Sequence, residues 1–165
     1  ARHSLGGLIV DLRHNPGGLL QAATEVSNLF IKKDSILVST KGRKISQNME
    51  FRAKEDARIN LPLVILVNHG SASASEIVAG AIQDLKRGVI VGERTFGKGS
   101  VQTTHTLSDG SSVHITIAHW FTPKGRQIHE VGLQPNIAVV ITEDDIKNNK
   151  DPQLDRALEY LAAGK

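Results

Sequence analysis

Five consecutive apolar residues, Leu63-Val64-Ile65-Leu66-Val67, run directly into Asn68-His69-Gly70-Ser71-Ala72-Ser73-Ala74-Ser75-Glu76. The apolar run is rich in β-branched side chains and does not alternate, which is the pattern of a strand buried on both faces. Beyond the serines, Ile77, Val78, Ala81, Ile82 and Leu85 recur at helical spacing, so a helix begins within the Ser-Ala repeat. Small hydroxyl residues therefore sit where a buried strand hands its chain to a helix N-terminus. Free N–H groups and the positive end of the helix dipole gather there, which suits an anion or a developing oxyanion. A serine at that point is either a nucleophile or a cap. Ser73-Ala74-Ser75-Glu76 fits the capping-box pattern, and the rest of the chain has to decide.

The other segments repeat the theme. Residues 7–13 (Gly-Leu-Ile-Val-Asp-Leu-Arg) read as a strand ending at the turn Asn15-Pro16-Gly17-Gly18. Leu19, Leu20, Ala23, Val26, Leu29 and Phe30 follow at helical spacing, and the two glycines permit close backbone approach to something bound. A short strand is expected at Ile36–Val38, a hairpin turn at Lys41-Gly42-Arg43, and a return strand through Ile45, Gln47, Met49 and Phe51. Residues 52–60 are a polar connection. A third buried strand covers Gly88–Gly92, and alternation from Val101 to Leu107 and from Val113 to Ile117 around Asp109-Gly110 predicts an antiparallel hairpin. Thr122-Pro123-Lys124-Gly125 is a turn, and Ile137 to Ile141 a last strand. Asp151-Pro152 caps a final helix whose inner face is expected to be Leu154, Leu158 and Leu161. Strands alternating with helices make this an α/β fold with a late hairpin, and 165 residues without repeat or linker make it one domain.

Composition narrows the chemistry. A net charge of +3 is dispersed, and with 4% aromatics there is no stacking platform, so no nucleic-acid partner is expected. The absence of cysteine removes thiolate nucleophiles and thiolate metal sites. No apolar run is long enough to span a membrane. The chain opens only a few residues before a strand, so it reads as a fragment whose targeting segment would lie upstream.

Residues 92–98 begin like a phosphate-binding loop, but Gly99 stands where the magnesium-binding hydroxyl should be, and a strand rather than a helix follows. Lys98, between two glycines, is either an exposed turn lysine or a general base for Ser73. As a base it must lose about 3.4 pKa units, or ~4.6 kcal/mol at ~1.36 kcal/mol per unit, which burial is able to supply. The strand histidines His105, His114 and His119 show no special context. Asp84, three helical turns or about 16 Å beyond Ser73, cannot touch it and is expected to be structural, near the helix end.

Taken together, Gly7-Leu8-Ile9-Val10-Asp11-Leu12-Arg13 with Asn15-Pro16-Gly17-Gly18, then Gly70–Ile77, then Gly92-Glu93 and Thr95-Phe96-Gly97-Lys98-Gly99, resemble the C-terminal processing peptidases, also called tail-specific proteases. Thr122-Pro123-Lys124-Gly125 and Gly132-Leu133-Gln134-Pro135 extend the resemblance over nearly the whole chain. It implies a crotonase-like ββα core and a serine–lysine dyad, Ser73 and Lys98, with Gln102 orienting the lysine. It also implies an oxyanion hole formed by Gly17 or Gly18 together with Ala74. No cofactor or metal is implied. The expected substrates are proteins or peptides with accessible C-termini, in the cell envelope, with an upstream PDZ domain and a possible oligomer. Asn136 stands where that family commonly has aspartate. The competing reading is a non-catalytic crotonase-like scaffold whose serines only cap a helix.

Overall fold

The computed structural model describes residues 5–164. Two four-stranded sheets carry the fold. The first is parallel, in the order β1 (Leu8–Asp11), β4 (Leu63–Val67), β5 (Val89–Gly92), β8 (Ile137–Ala138). The second is antiparallel, in the order β3 (Met49–Arg52), β2 (Ile36–Gly42), β7 (Ser112–Phe121), β6 (Ser100–Thr106). Helices α1 (Leu20–Asn28), α2 (Ala74–Asp84), α3 (Glu143–Lys147) and α4 (Pro152–Ala162) complete it.

The apolar run of β4 is buried on both faces, at 2% exposure or less throughout. Leu63, Ile65 and Val67 enter the main core with Ile77, Val78, Ala81 and Ile82 of α2 and with Leu37, Val38 and Trp120 of the second sheet. Val64 and Leu66 point the other way, against Val91 and Ala157. β4 therefore supplies apolar side chains at every position because each face has its own layer to fill.

Departures from the sequence reading have local causes. The β2–β3 connection is not a tight turn at Lys41-Gly42-Arg43. β2 runs on to Gly42, and Ile45–Gln47 form a 3-10 turn instead of strand. Lys44 N donates to Gln47 Oε1 at 2.8 Å and Gly42 N to Asn48 Oδ1 at 3.0 Å, so side chains close the connection and leave Ile45 88% exposed. β8 stops at Ala138 rather than Ile141, because Gln153 Nε2 takes the Val139 carbonyl at 2.8 Å and ends the ladder. The inner face of α4 is not Leu154 and Leu158, which are exposed, but Gln153 and Ala157, both fully buried, with Tyr160 and Leu161 packed beside them. Gln153 also accepts from Arg13 Nη1, at 3.2 Å; this polar anchor turns the helix off its apolar stripe. The cap at its start is as expected: Asp151 accepts from Leu154 N at 3.0 Å, with Pro152 in the first turn. The short helix α3, capped by Thr142, was not anticipated.

No described helix is long and apolar enough to cross a membrane, and no group of three or more metal-binding side chains occurs among the described residues.

Candidate active site

The carboxyl ends of β1, β4 and β5 lie side by side, and three loops leave them: residues 12–19, 68–73 and 93–99. This edge of a parallel sheet is where α/β folds bind ligands. The loops are stitched together. Ser71 Oγ donates to the Leu12 carbonyl at 2.7 Å and accepts from Asn68 N at 3.0 Å. Ser75 Oγ donates to the Asn15 carbonyl at 3.0 Å, Ala72 N donates to the same carbonyl at 3.0 Å, and Phe96 N donates to the Ser71 carbonyl at 3.0 Å.

Ser71 and Ser75 are thus buried and spent on the scaffold. Ser73, between them, is different. Its backbone is held at φ 55° and ψ −117°, a region that costs a non-glycine residue about 1–3 kcal/mol and is kept only where neighbours enforce it. Its hydroxyl makes no capping bond, and it lines a cavity of about 130 Å³ with Gly18, Leu20, Thr40, Ala74, Ile77, Ser100, Val101 and Trp120. Ile77, one helical turn beyond Ser73, lines the same cavity.

The turn of β1 approaches Ser73 closely. A Cβ on Gly17, whose φ is +100°, would lie 2.6 Å from the Ala72 carbonyl oxygen, 2.7 Å from Ala74 N and 2.8 Å from Ser73 Cβ. Only glycine fits. Gly17 N is already committed to Asn15 Oδ1 at 2.9 Å. Gly18 has open space where a side chain would go and lines the cavity. Ala74 N is the first N–H of α2 and has no partner inside the helix. Of the two glycines, Gly18 therefore has the uncommitted donor beside Ala74.

Glu76, fully buried, is the residue whose importance the sequence underplayed. Its expected capping contact to the Ser73 backbone is present: Oε2 accepts from Ser73 N at 2.9 Å. The same oxygen accepts from Lys98 N at 2.9 Å, while Oε1 accepts from Gly97 N at 2.8 Å and Thr95 Oγ1 at 2.5 Å. Thr95 Oγ1 in turn accepts from Leu133 N at 2.7 Å. One carboxylate holds the serine turn, the Lys98 loop and, through Thr95, the following loop.

Lys98 itself is exposed at the loop tip, and no hydrogen bond joins its side chain to Ser73. Gln102 is also exposed, on β6 beyond an irregularity between Val101 and Gln102, and donates to Thr116 Oγ1 at 3.5 Å rather than reaching Lys98. The backbones of Ser73 and Lys98 are brought together through Glu76; the lysine and glutamine side chains are not. Asp84, the last residue of α2, is structural as expected: it accepts from Lys124 N at 2.9 Å and Arg126 Nη2 at 2.5 Å. Asn136 Oδ1 accepts from Ile90 N at 3.0 Å, so the residue that departs from the resemblance ties down β5.

Residues 1–139 match the family described as peptidase family S41. The carboxyl-terminal-processing protease of a Synechocystis species is 44% identical over 161 residues, covering 96% of this chain and 37% of that protein. The carboxy-terminal-processing protease of Bartonella bacilliformis is 48% identical over 136 residues, covering 82% and 31%. Among solved structures, a photosystem II D1 C-terminal processing protease superposes with a TM-score of 0.72 at 41% identity, covering 82% of this chain and 35% of that one. The chain spans about a third of the length of the curated relatives it matches.

Proposed function

Since this chain belongs to peptidase family S41, we propose that it carries the reaction centre of a serine endopeptidase cutting near protein C-termini, with Ser73 as nucleophile and Lys98 as base. The observation that carries the reading is the contrast among the three serines: two are consumed by backbone carbonyls, and the strained middle one opens onto a cavity.

The steps follow from the groups present. Ser73 Oγ attacks the scissile carbonyl carbon as its proton passes to Lys98 Nζ. The oxygen that gains charge is stabilised by the N–H groups of Ala74 and Gly18, with Gly17 shaping the turn. Collapse of the tetrahedral species breaks the C–N bond, and Lys98 returns the proton to the leaving amine. Water, deprotonated by Lys98, then hydrolyses the acyl-enzyme and restores Ser73. The cavity beside Ser73, about 130 Å³ and walled by Leu20, Ile77, Val101 and Trp120, is below the ~150 Å³ that admits benzene; it suits an apolar side chain of modest size before the scissile bond.

An exposed ammonium is a poor base. In this reading the desolvation that frees Lys98, and the movement that brings Gln102 to it, come with bound substrate and with the rest of a longer protein, which includes an upstream PDZ domain and works in the cell envelope. The exposure of Lys98 is also what favours the alternative, a crotonase-like scaffold without activity. A serine-reactive covalent probe separates the two in the longer protein. Label mapping to Ser73 and disappearing in Ser73→Ala supports the protease. Lys98→Arg, which keeps charge but cannot deprotonate usefully, is expected to lose two or more orders of magnitude in cleavage. No label at Ser73, or normal cleavage by Lys98→Arg, overturns the assignment.

A further inference from the structure

The parallel sheet has a second end. Opposite the loop that carries Ser73, the first residues of β4 and β5, Leu63 and Val89, border an open cavity of about 520 Å³. It lies a strand's length from the Ser73 turn, roughly 15 Å at ~3.3 Å per residue. Its charge is one-sided. Lys86 and Arg87 line it together with the neutral side chains of Asn60, Gln83, Asn136 and Tyr160, and no carboxylate does so among the described residues. The Arg87 guanidinium is held by three main-chain carbonyls: Nε donates to Phe30 at 3.0 Å, and Nη2 donates to Ile59 at 2.7 Å and to Leu61 at 2.9 Å. Burial pulls its pKa below the usual arginine range, and it still stays a cation at neutral pH. Lys86 is held beside it in the left-handed region, at φ 54°, a conformation that favours glycine or asparagine over lysine.

We propose that this cavity is a second binding site, for a small organic anion that presents a carboxylate or phosphate group to Lys86 and Arg87. The negative charge nearby does not cancel the two cations. The C-terminal end of α2 contributes about half a unit charge, and its last carbonyls are already taken: Ala81 by Leu85 N, Ile82 by Arg87 N and Gln83 by Lys86 N. Asp84 is buried and bonded to Arg126 Nη2 and Lys124 N. A guanidinium fixed by carbonyl dipoles keeps its full charge for an incoming anion, and little side-chain entropy remains to be lost when one binds. The volume exceeds that of a bare ion and falls in the range of small-molecule sites. Pro62, Val89 and the Tyr160 ring give the cavity apolar wall for an organic body.

The site does not depend on Ser73 being a nucleophile, and its test reads binding alone. Citrate and inorganic phosphate are titrated calorimetrically into the unsubstituted protein at neutral pH, with ionic strength held constant by sodium chloride. Saturable binding of at least one is expected, citrate alone assigning a carboxylate ligand and phosphate alone a phosphate. Lys86→Asn keeps a residue suited to the left-handed turn and removes one cation. Asn136→Asp keeps an oxygen for Ile90 N and Gln83 Nε2 and puts an acid in the wall. Each is expected to weaken binding about ten-fold or more, the scale of one hydrogen bond to a charged group. Lys44→Gln, an equal loss of charge at an exposed position on the β2–β3 connection, is expected to bind as the unsubstituted protein does. Absence of saturable binding by either anion overturns the site. So does an affinity that neither Lys86→Asn nor Asn136→Asp lowers, or one that Lys44→Gln lowers as much.

Discussion

Ser73 and Lys98 are joined through one oxygen atom. Their backbone N–H groups both donate to Glu76 Oε2 at 2.9 Å, so the two nitrogens are no further apart than those two bonds laid end to end. The Ser73 turn and the Lys98 loop, 25 positions apart in the chain, have a common fixed point.

The first prediction concerns that oxygen. Glu76→Gln replaces one acceptor oxygen by an amide nitrogen that itself donates, inside a fully buried site with four donors aimed at the carboxylate. Two of those donors lose their acceptor, and each buried unpaired group costs about 1–3 kcal/mol. A loss of roughly 2–5 kcal/mol in denaturant unfolding is expected, with greater mobility of residues 95–98. An unchanged midpoint would show that the carboxylate is not the fixed point.

The serines are expected to separate stability from labelling. Ser71→Ala strands Asn68 N, leaves the Leu12 carbonyl with only the 3.3 Å bond from Asn15 N, and costs about 1–3 kcal/mol. Ser73→Ala removes a hydroxyl with no capping bond and leaves stability nearly unchanged. Ser73→Gly goes further: it relieves the φ of 55° and should melt higher than Ser73→Ala, by about 1 kcal/mol in stability. Equal melting of the two variants would mean the turn stores no strain.

How far this was visible beforehand depends on the kind of interaction. β4 was legible because an unbroken apolar run has one sensible place to go, and Asp151-Pro152 because caps are local. The role of Glu76 beyond its own helix was not, since its partners on the Lys98 loop are mainly backbone N–H groups, which every residue but proline has. The face of α4 was misjudged because Leu154 and Leu158 outrank Ala157 in hydropathy, whereas Gln153 is drawn inward by Arg13 and the Val139 carbonyl. The position of the Lys98 side chain depends on what surrounds the loop, and no local pattern in the sequence encodes it.

The glycine pair is expected to divide sharply. Gly17→Ala drives a methyl into Ala72 and Ala74 backbone atoms at a φ of +100°, and should lower stability by more than about 2 kcal/mol. Gly18→Ala meets nothing within 4 Å and should change folding stability by less than about 0.5 kcal/mol. Because Gly18 lines the cavity beside Ser73, its effect is expected in the proposed cleavage rather than in folding. Comparable thermal melts for the two variants would contradict the packing.

The last prediction is an acid dependence far from the serine. Arg13 grips Asp151 through two bonds of 2.8 Å and also pairs with Asp11 at 2.7 Å. The hydrogen bonds from the Arg13 side chain hold the Asp151 carboxyl below the usual carboxylate range, against a smaller opposing effect of burial. A carboxylate whose pKa is lower folded than unfolded adds stability that is complete above its unfolded value, near 3.9, and is lost as pH falls through the folded one. Melting temperature should therefore be insensitive to the pair from pH 5 to 8 and fall below about pH 4. Asp151→Asn still accepts from Leu154 N through its amide oxygen but lacks the charge, so it should melt lower than the unsubstituted chain at pH 7 and converge with it near pH 2. Because a third of the Asp151 side chain is exposed, the gap at pH 7 should also shrink in molar salt. A gap that is the same at pH 7 and pH 2 would assign the stabilisation to the cap bond and remove the ion pair from it.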